Sequence, residues 1–87
     1  MKKIEDYENL VNGVIVRTFD DLFKAYIDYR AAAERNQTRL MKRKQSDITY
    51  LEGWMKEAVP QWTNLTGEYL IKICRKKAEE YYEARKE

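Results

Sequence analysis

Between Ile4 and Ala33, apolar side chains recur three and four positions apart with no interruption. Ile4, Tyr7, Val11, Val14, Ile15, Phe19, Leu22, Tyr26, Tyr29 and Ala33 fall on one stripe at about 100° per residue. Val16, Phe23 and Ile27 add a second stripe beside it, and Arg17, Asp20, Asp21, Lys24 and Asp28 hold the opposite side. An apolar arc wider than half the circumference cannot be covered by a single partner helix. The segment therefore predicts a central helix from about Glu5 to Glu34, packed by at least two others. A straight helix of about 30 residues runs ~45 Å, against a radius of gyration of about 12 Å for a compact domain of this size. Either the helix bends, with Gly13 its one weak point, or one end projects and pairs with another molecule.

The rest of the chain supplies the partners. Arg35-Asn36-Gln37-Thr38 is polar, and asparagine accepts a left-handed cap, so the first helix is expected to exit there. Leu40, Met41, Ile48, Leu51, Met55, Ala58 and Val59 share one face, which favours one helix from about Thr38. Lys44 interrupts that face, and the alternative is a shorter helix capped by Ser46 after a loop over 36–45. In either case Pro60 is expected to end the helix at Val59, because proline disfavours helical geometry in the residue before it. Pro60 to Leu65 is then a corner with Trp62 tucked under it. Thr66 is placed to cap a third helix, from about Gly67 to Ala84, with Glu68 in its first turn. That helix is expected to bury Leu70, Ile73, Cys74, Ala78 and Tyr81. Its outer face carries the four-apart pairs Glu68–Lys72, Arg75–Glu79 and Lys76–Glu80. The expected fold is a single all-α domain over residues 1–87: three helices, with the first long and central.

Composition removes most chemistry. The 87 residues include no histidine and one cysteine. No imidazole base, His-bearing triad or His-ligated zinc is available, and Cys74 alone makes neither an intramolecular disulfide nor a thiolate metal site. Its neighbours Leu70, Ile73 and Ala78 mark Cys74 as a small buried hydrophobe. No carboxylate cluster has metal-ligand spacing, no glycine-rich loop is present to hold a phosphate, and Glu79-Glu80 lies among lysines on a charged face. The expectation is no enzyme, no cofactor and no metal. No run of about 18 apolar residues exists to span a membrane, and no leader-like apolar stretch follows Met1. A net charge of +2 exerts little global pull on nucleic acid.

What remains is binding. Arg35, Arg39, Lys42, Arg43 and Lys44 form a stretch with no acid before Asp47. On a continuous helix Arg39, Lys42 and Arg43 point together, away from the apolar face, where they serve as a solvated surface or a contact for phosphates. Seven tyrosines and two tryptophans are many for this length, and Tyr, Trp and Arg anchor protein interfaces. Tyr50, Trp54 and Tyr82 lie at the edges of their apolar stripes. Arg39, Lys42, Arg43, Tyr50 and Trp54 are thus the candidate partner-binding residues. Trp54 also has a competing reading as a core residue. A protein partner is expected first, nucleic acid through 35–44 second. Self-association is expected from the overlong first helix and the edge aromatics.

The opening Tyr7-Glu8-Asn9-Leu10-Val11-Asn12-Gly13-Val14-Ile15-Val16, the basic stretch, and Leu65-Thr66-Gly67-Glu68-Tyr69-Leu70-Ile71 resemble a group of small accessory proteins of phages, prophages and mobile elements in Gram-positive bacteria. In that group an aspartate usually stands where Thr66 stands, and Pro60 and Trp62 depart from its pattern. The group brings no assigned site residues. The resemblance implies a phage-type protein acting in the cytoplasm of a bacterial host, as an inhibitor or adaptor of a host or phage macromolecule. Such partners include immune effectors such as CRISPR nucleases.

Overall fold

The computed structural model describes the backbone of residues 2–86 and the side chains of residues 13–85. The chain folds as an all-α domain of three helices, α1 (Lys2–Glu34), α2 (Thr38–Trp62) and α3 (Gly67–Lys86), each packed against both others. Helix α1 is uninterrupted through Gly13. Its 33 residues correspond to about 50 Å of helix, which matches the 52 Å long axis of the molecule. The radius of gyration, 14.9 Å, exceeds the compact-domain value for the same reason. Ile4, Tyr7 and Val11 of the predicted stripe lie outside the described side chains.

Asn36 terminates α1 by adopting the left-handed conformation, φ 56°. That reversal lets the Gln37 N–H donate to the Ala32 carbonyl at 2.9 Å and the Asn36 N–H to that of Ala33 at 3.2 Å. Two of the orphaned carbonyls at the helix end are thereby satisfied. Helix α2 then starts at Thr38 and runs through Lys44, so the loop alternative over 36–45 does not occur. Lys44 is accommodated at the edge of the apolar face by pairing with Asp28 of α1 at 3.4 Å.

Two expectations at the far end of α2 are corrected. The helix does not stop at Val59 but continues through Pro60 to Trp62. Proline in a last turn forfeits one backbone hydrogen bond, to the Lys56 carbonyl, and its restriction on the preceding residue disfavours helix without forbidding it. Val59 is fully buried, and its carbonyl accepts both the N–H and the Oγ1–H of Thr63 at 2.9 Å, so packing and capping hold the extra turn. Trp62 is not tucked under the corner; it is 47% exposed.

Thr66 caps α3 as expected, its Oγ1 accepting the Tyr69 N–H at 3.1 Å, with Glu68 in the first turn. Gly67 is buried where α3 crosses α2, and a Cβ there would fall on the backbone of Met55 and Lys56. The core is formed by Ile15, Leu22, Met55, Val59, Ile71 and Cys74, ringed by Phe19, Phe23, Tyr26, Ile48, Leu51, Trp54 and Leu70. Ile71 belongs to it although the predicted stripe on α3 runs through Leu70, Ile73 and Cys74 instead. Tyr81, expected inside, is 42% exposed and lays its ring edge-on against Phe23, 5.5 Å between centroids. Ala25 and Ala32 are buried as well.

Candidate docking surface on the second helix

The inner half of α2 is spoken for by the fold. Met55 and Val59 point into the core with no exposed surface. Lys44 turns toward α1 and Asp28. Glu52 turns toward Tyr26 of α1 and Arg75 of α3. The other half faces solvent: helical spacing runs Arg39, Lys42, Arg43, Ser46, Tyr50, Gly53 and Glu57 down its middle, all exposed, with exposed Asp47 on one flank and Gln45, Thr49 and Lys56 on the other.

The structure brings four of the five predicted site residues onto this face. Arg39, Lys42 and Arg43 occupy its first two turns, and none forms an ion pair among the described residues. Tyr50 follows two turns later at 73% exposure. A shallow depression between them is lined by Lys42, Gln45, Ser46, Thr49 and Tyr50. Trp54 stands apart from the other four: it is half-buried against the core cluster and reaches only the border of the face. Arg35 is exposed in the turn just before α2.

Sequence reasoning missed a second polar centre, where all three helices meet. The Tyr26 hydroxyl donates to Glu52 Oε1 at 2.7 Å, and Arg75 Nη2 donates to the same oxygen. Arg75 Nε also donates to the Tyr26 hydroxyl at 3.3 Å, and the guanidinium lies 5.7 Å from the centre of the Tyr26 ring. Burial, then the carboxylate of Glu52, holds the Tyr26 phenol well above its ordinary range. The bonds to Tyr26 and Glu52 raise Arg75 further. The signal was available in Glu52, a carboxylate on the half of α2 that faces the other helices, where a charge needs a partner. The four-apart reading of Arg75–Glu79 is corrected by the same geometry. Arg75 goes to Glu52, while Glu79 receives Arg30 of α1 at 3.0 Å, beside Glu83 at 3.2 Å.

An open pocket of about 250 Å³ between α1 and α3 is lined by Tyr26, Tyr29, Arg30, Arg75, Glu79 and Tyr82, among others. Both of its arginines are already paired with carboxylates, and Arg30 lies 5.3 Å from the centre of the Tyr82 ring. These side chains cross-link α1 and α3. Cys74 is fully buried, its Sγ–H directed at the Phe19 carbonyl, 3.5 Å away. Burial, followed by the charges of Asp20 and Glu52, pushes its thiol up to about 12, so a thiolate is withheld at neutral pH.

Among the described residues no group of three His, Cys, Asp or Glu side chains is placed to hold a metal ion, and no helix is long and apolar enough to cross a membrane. Comparison of the chain with protein-family models, curated proteins and solved structures returned no match.

Proposed function

We propose that the chain is a non-enzymatic binding module that docks a protein partner on the outward face of α2. In the setting implied by its resemblance to phage and mobile-element proteins, it acts in the bacterial cytoplasm as an inhibitor or adaptor of host or phage machinery, immune effectors such as CRISPR nucleases included. One observation carries the reading: Tyr50 stands 73% exposed on the same helical face as three cations that form no ion pair among the described residues. Other arginines and tyrosines hold helices together, as in Tyr26–Glu52–Arg75 and Arg30–Tyr82–Glu79. Arginine and tyrosine are the residue types from which interface anchors are drawn, each worth about 2 kcal/mol or more when desolvated by a partner. Cations beside an aromatic ring suit a partner that offers carboxylates beside apolar groups.

A second reading is favoured by the depression itself. Lys42, Gln45, Ser46 and Thr49 are the side-chain types that contact phosphate oxygens, and Tyr50 offers a ring on which a base can stack. Photo-crosslinking separates the two. With a benzophenone amino acid at position 50, expressed in the bacterial host, the expected product is a protein adduct lost on Arg39→Glu/Arg43→Glu. Nuclease-sensitive adducts in its place would carry the second reading, and no adduct at all would retire both.

A further inference from the structure

The outward face of α2 carries a register that its chemistry explains best with a second copy of the same helix. Arg39, Arg43, Ser46, Tyr50, Gly53 and Glu57 follow one another four and three positions apart, so they form a single line down the helix. All six are exposed and lie opposite Met55 and Val59. The line is cationic at one end and anionic at the other, with the tyrosine near its middle. A line of that kind is its own complement when reversed.

The geometry points to an antiparallel homodimer in which α2 packs on α2 of a second copy, about a two-fold axis at the level of Ile48. This inference rests on reading the α2 face as a docking surface, and it names that surface's first occupant. An isologous contact must satisfy every pairing twice. In this register Arg39 lies level with Glu57 of the second copy, and Glu57 with its Arg39. Tyr50 lies level with Ser46 of the second copy, where a ring meets a small side chain in each direction. Arg43 comes level with Gly53, whose Cβ position is open, and lies on the same flank as Trp54, whose ring accepts a guanidinium. Asp47 meets its like near the axis, but Arg43 stands four residues away on the same helix and offsets its charge. Shifting the register by one turn toward either end exchanges the Arg39–Glu57 pairs for Arg43–Glu57 or Arg35–Glu57 pairs and takes Tyr50 off Ser46, so the fit of the ring against the small side chain chooses the alignment.

A heterologous partner then competes with the second copy for one surface. The free monomer is the binding-competent form, and dilution or a tighter partner releases it.

Sedimentation equilibrium of the full chain from micromolar to millimolar concentration tests this, with circular dichroism on each variant to establish that it is folded. Arg39 and Glu57 are exposed, so their reversal leaves the fold in place. The parent chain is expected to show a reversible monomer–dimer equilibrium. Arg39→Glu and Glu57→Arg are each expected to weaken it by about tenfold or more, since every reversal acts twice. The combined variant Arg39→Glu/Glu57→Arg is expected to regain the parental constant. A chain that is monomeric throughout, a dimer indifferent to both reversals, or a combined variant as weak as the single ones would overturn the proposal. A monomeric parent that still crosslinks a different protein from position 50 removes the second copy and leaves the docking reading standing. A charge-swappable dimer that crosslinks only itself does the opposite.

Discussion

Tyr26 and Cys74 are a phenol and a thiol whose protons the fold protects. An unfolded phenol releases its proton near pH 10 and an unfolded thiol near pH 9, whereas both are held higher in the folded chain, Cys74 up to about 12. A folded pKa raised above the unfolded one gives stability that is complete below the unfolded value and disappears as pH rises toward the folded one. Urea denaturation across the alkaline range is therefore expected to show stability falling from about pH 9 upward. In Cys74→Ala the fall should begin nearer pH 10, where the raised Tyr26 phenol sets it. A flat profile in the parent chain would contradict the burial of both groups. Tyr26→Phe leaves Glu52 and Arg75 paired but one donor short, a loss of about 1–2 kcal/mol. Thiol reagents should modify Cys74 only as fast as the chain opens. These residues also mark the limit of what the sequence discloses. Cys74 is legible as buried from its apolar neighbours, but the Tyr26–Glu52–Arg75 centre joins positions 26, 52 and 75 on three helices, and no local pattern relates them.

At the scale of the elements, capping chemistry was readable and tertiary override was not. Asn36 and Thr66 terminate and start helices because their side chains and allowed backbone angles permit it, independent of what packs around them. Thr66→Ala is accordingly expected to cost about 1 kcal/mol in thermal or chemical denaturation. Pro60 is the contrary case. Its local preference to stop the helix is outweighed by burial of Val59 and by Thr63 closing the turn, and neither is visible one residue at a time. The glycines make the same division testable. Gly67→Ala drives a methyl group into the backbone of Met55 and Lys56 and should destabilise by about 3 kcal/mol, since α2 and α3 must part to admit it. Gly13→Ala meets nothing within 4 Å and should instead stabilise α1 by up to about 1 kcal/mol. Opposite signs for one substitution at two helical positions would establish that the α2–α3 crossing, rather than helix propensity, holds Gly67.

For the molecule as a whole, the wide arc on α1 implied a central helix between two partners, and the packing of α1 against both α2 and α3 follows from it. The length of α1 sets the long axis, so the domain is a rod with one helix running its full extent. The arc also predicted more burial than three helices supply: Val14 and Val16 belong to the apolar stripes and remain substantially exposed. Of the candidate site, Arg39, Lys42, Arg43 and Tyr50 were legible because α2 is continuous, and helical spacing then fixes their common face. Trp54 was ambiguous for a physical reason. It sits on the boundary of the stripe, and only the position of α1 decides that it leans on the core. Trp54→Ala should therefore lower stability by about 2–4 kcal/mol, which separates it from the other four.

That separation between what folds the chain and what faces outward is most directly tested by the triple variant Arg39→Ala/Arg43→Ala/Tyr50→Ala, with thermal unfolding and crosslinking measured on the same preparation, the benzophenone residue now at position 46. The expected result is a melting transition within about 3 °C of the parent, as for surface substitutions generally, together with loss of the partner adduct. A variant that fails to fold, or one that folds and still yields the parental adduct, would contradict the assignment of this face to binding.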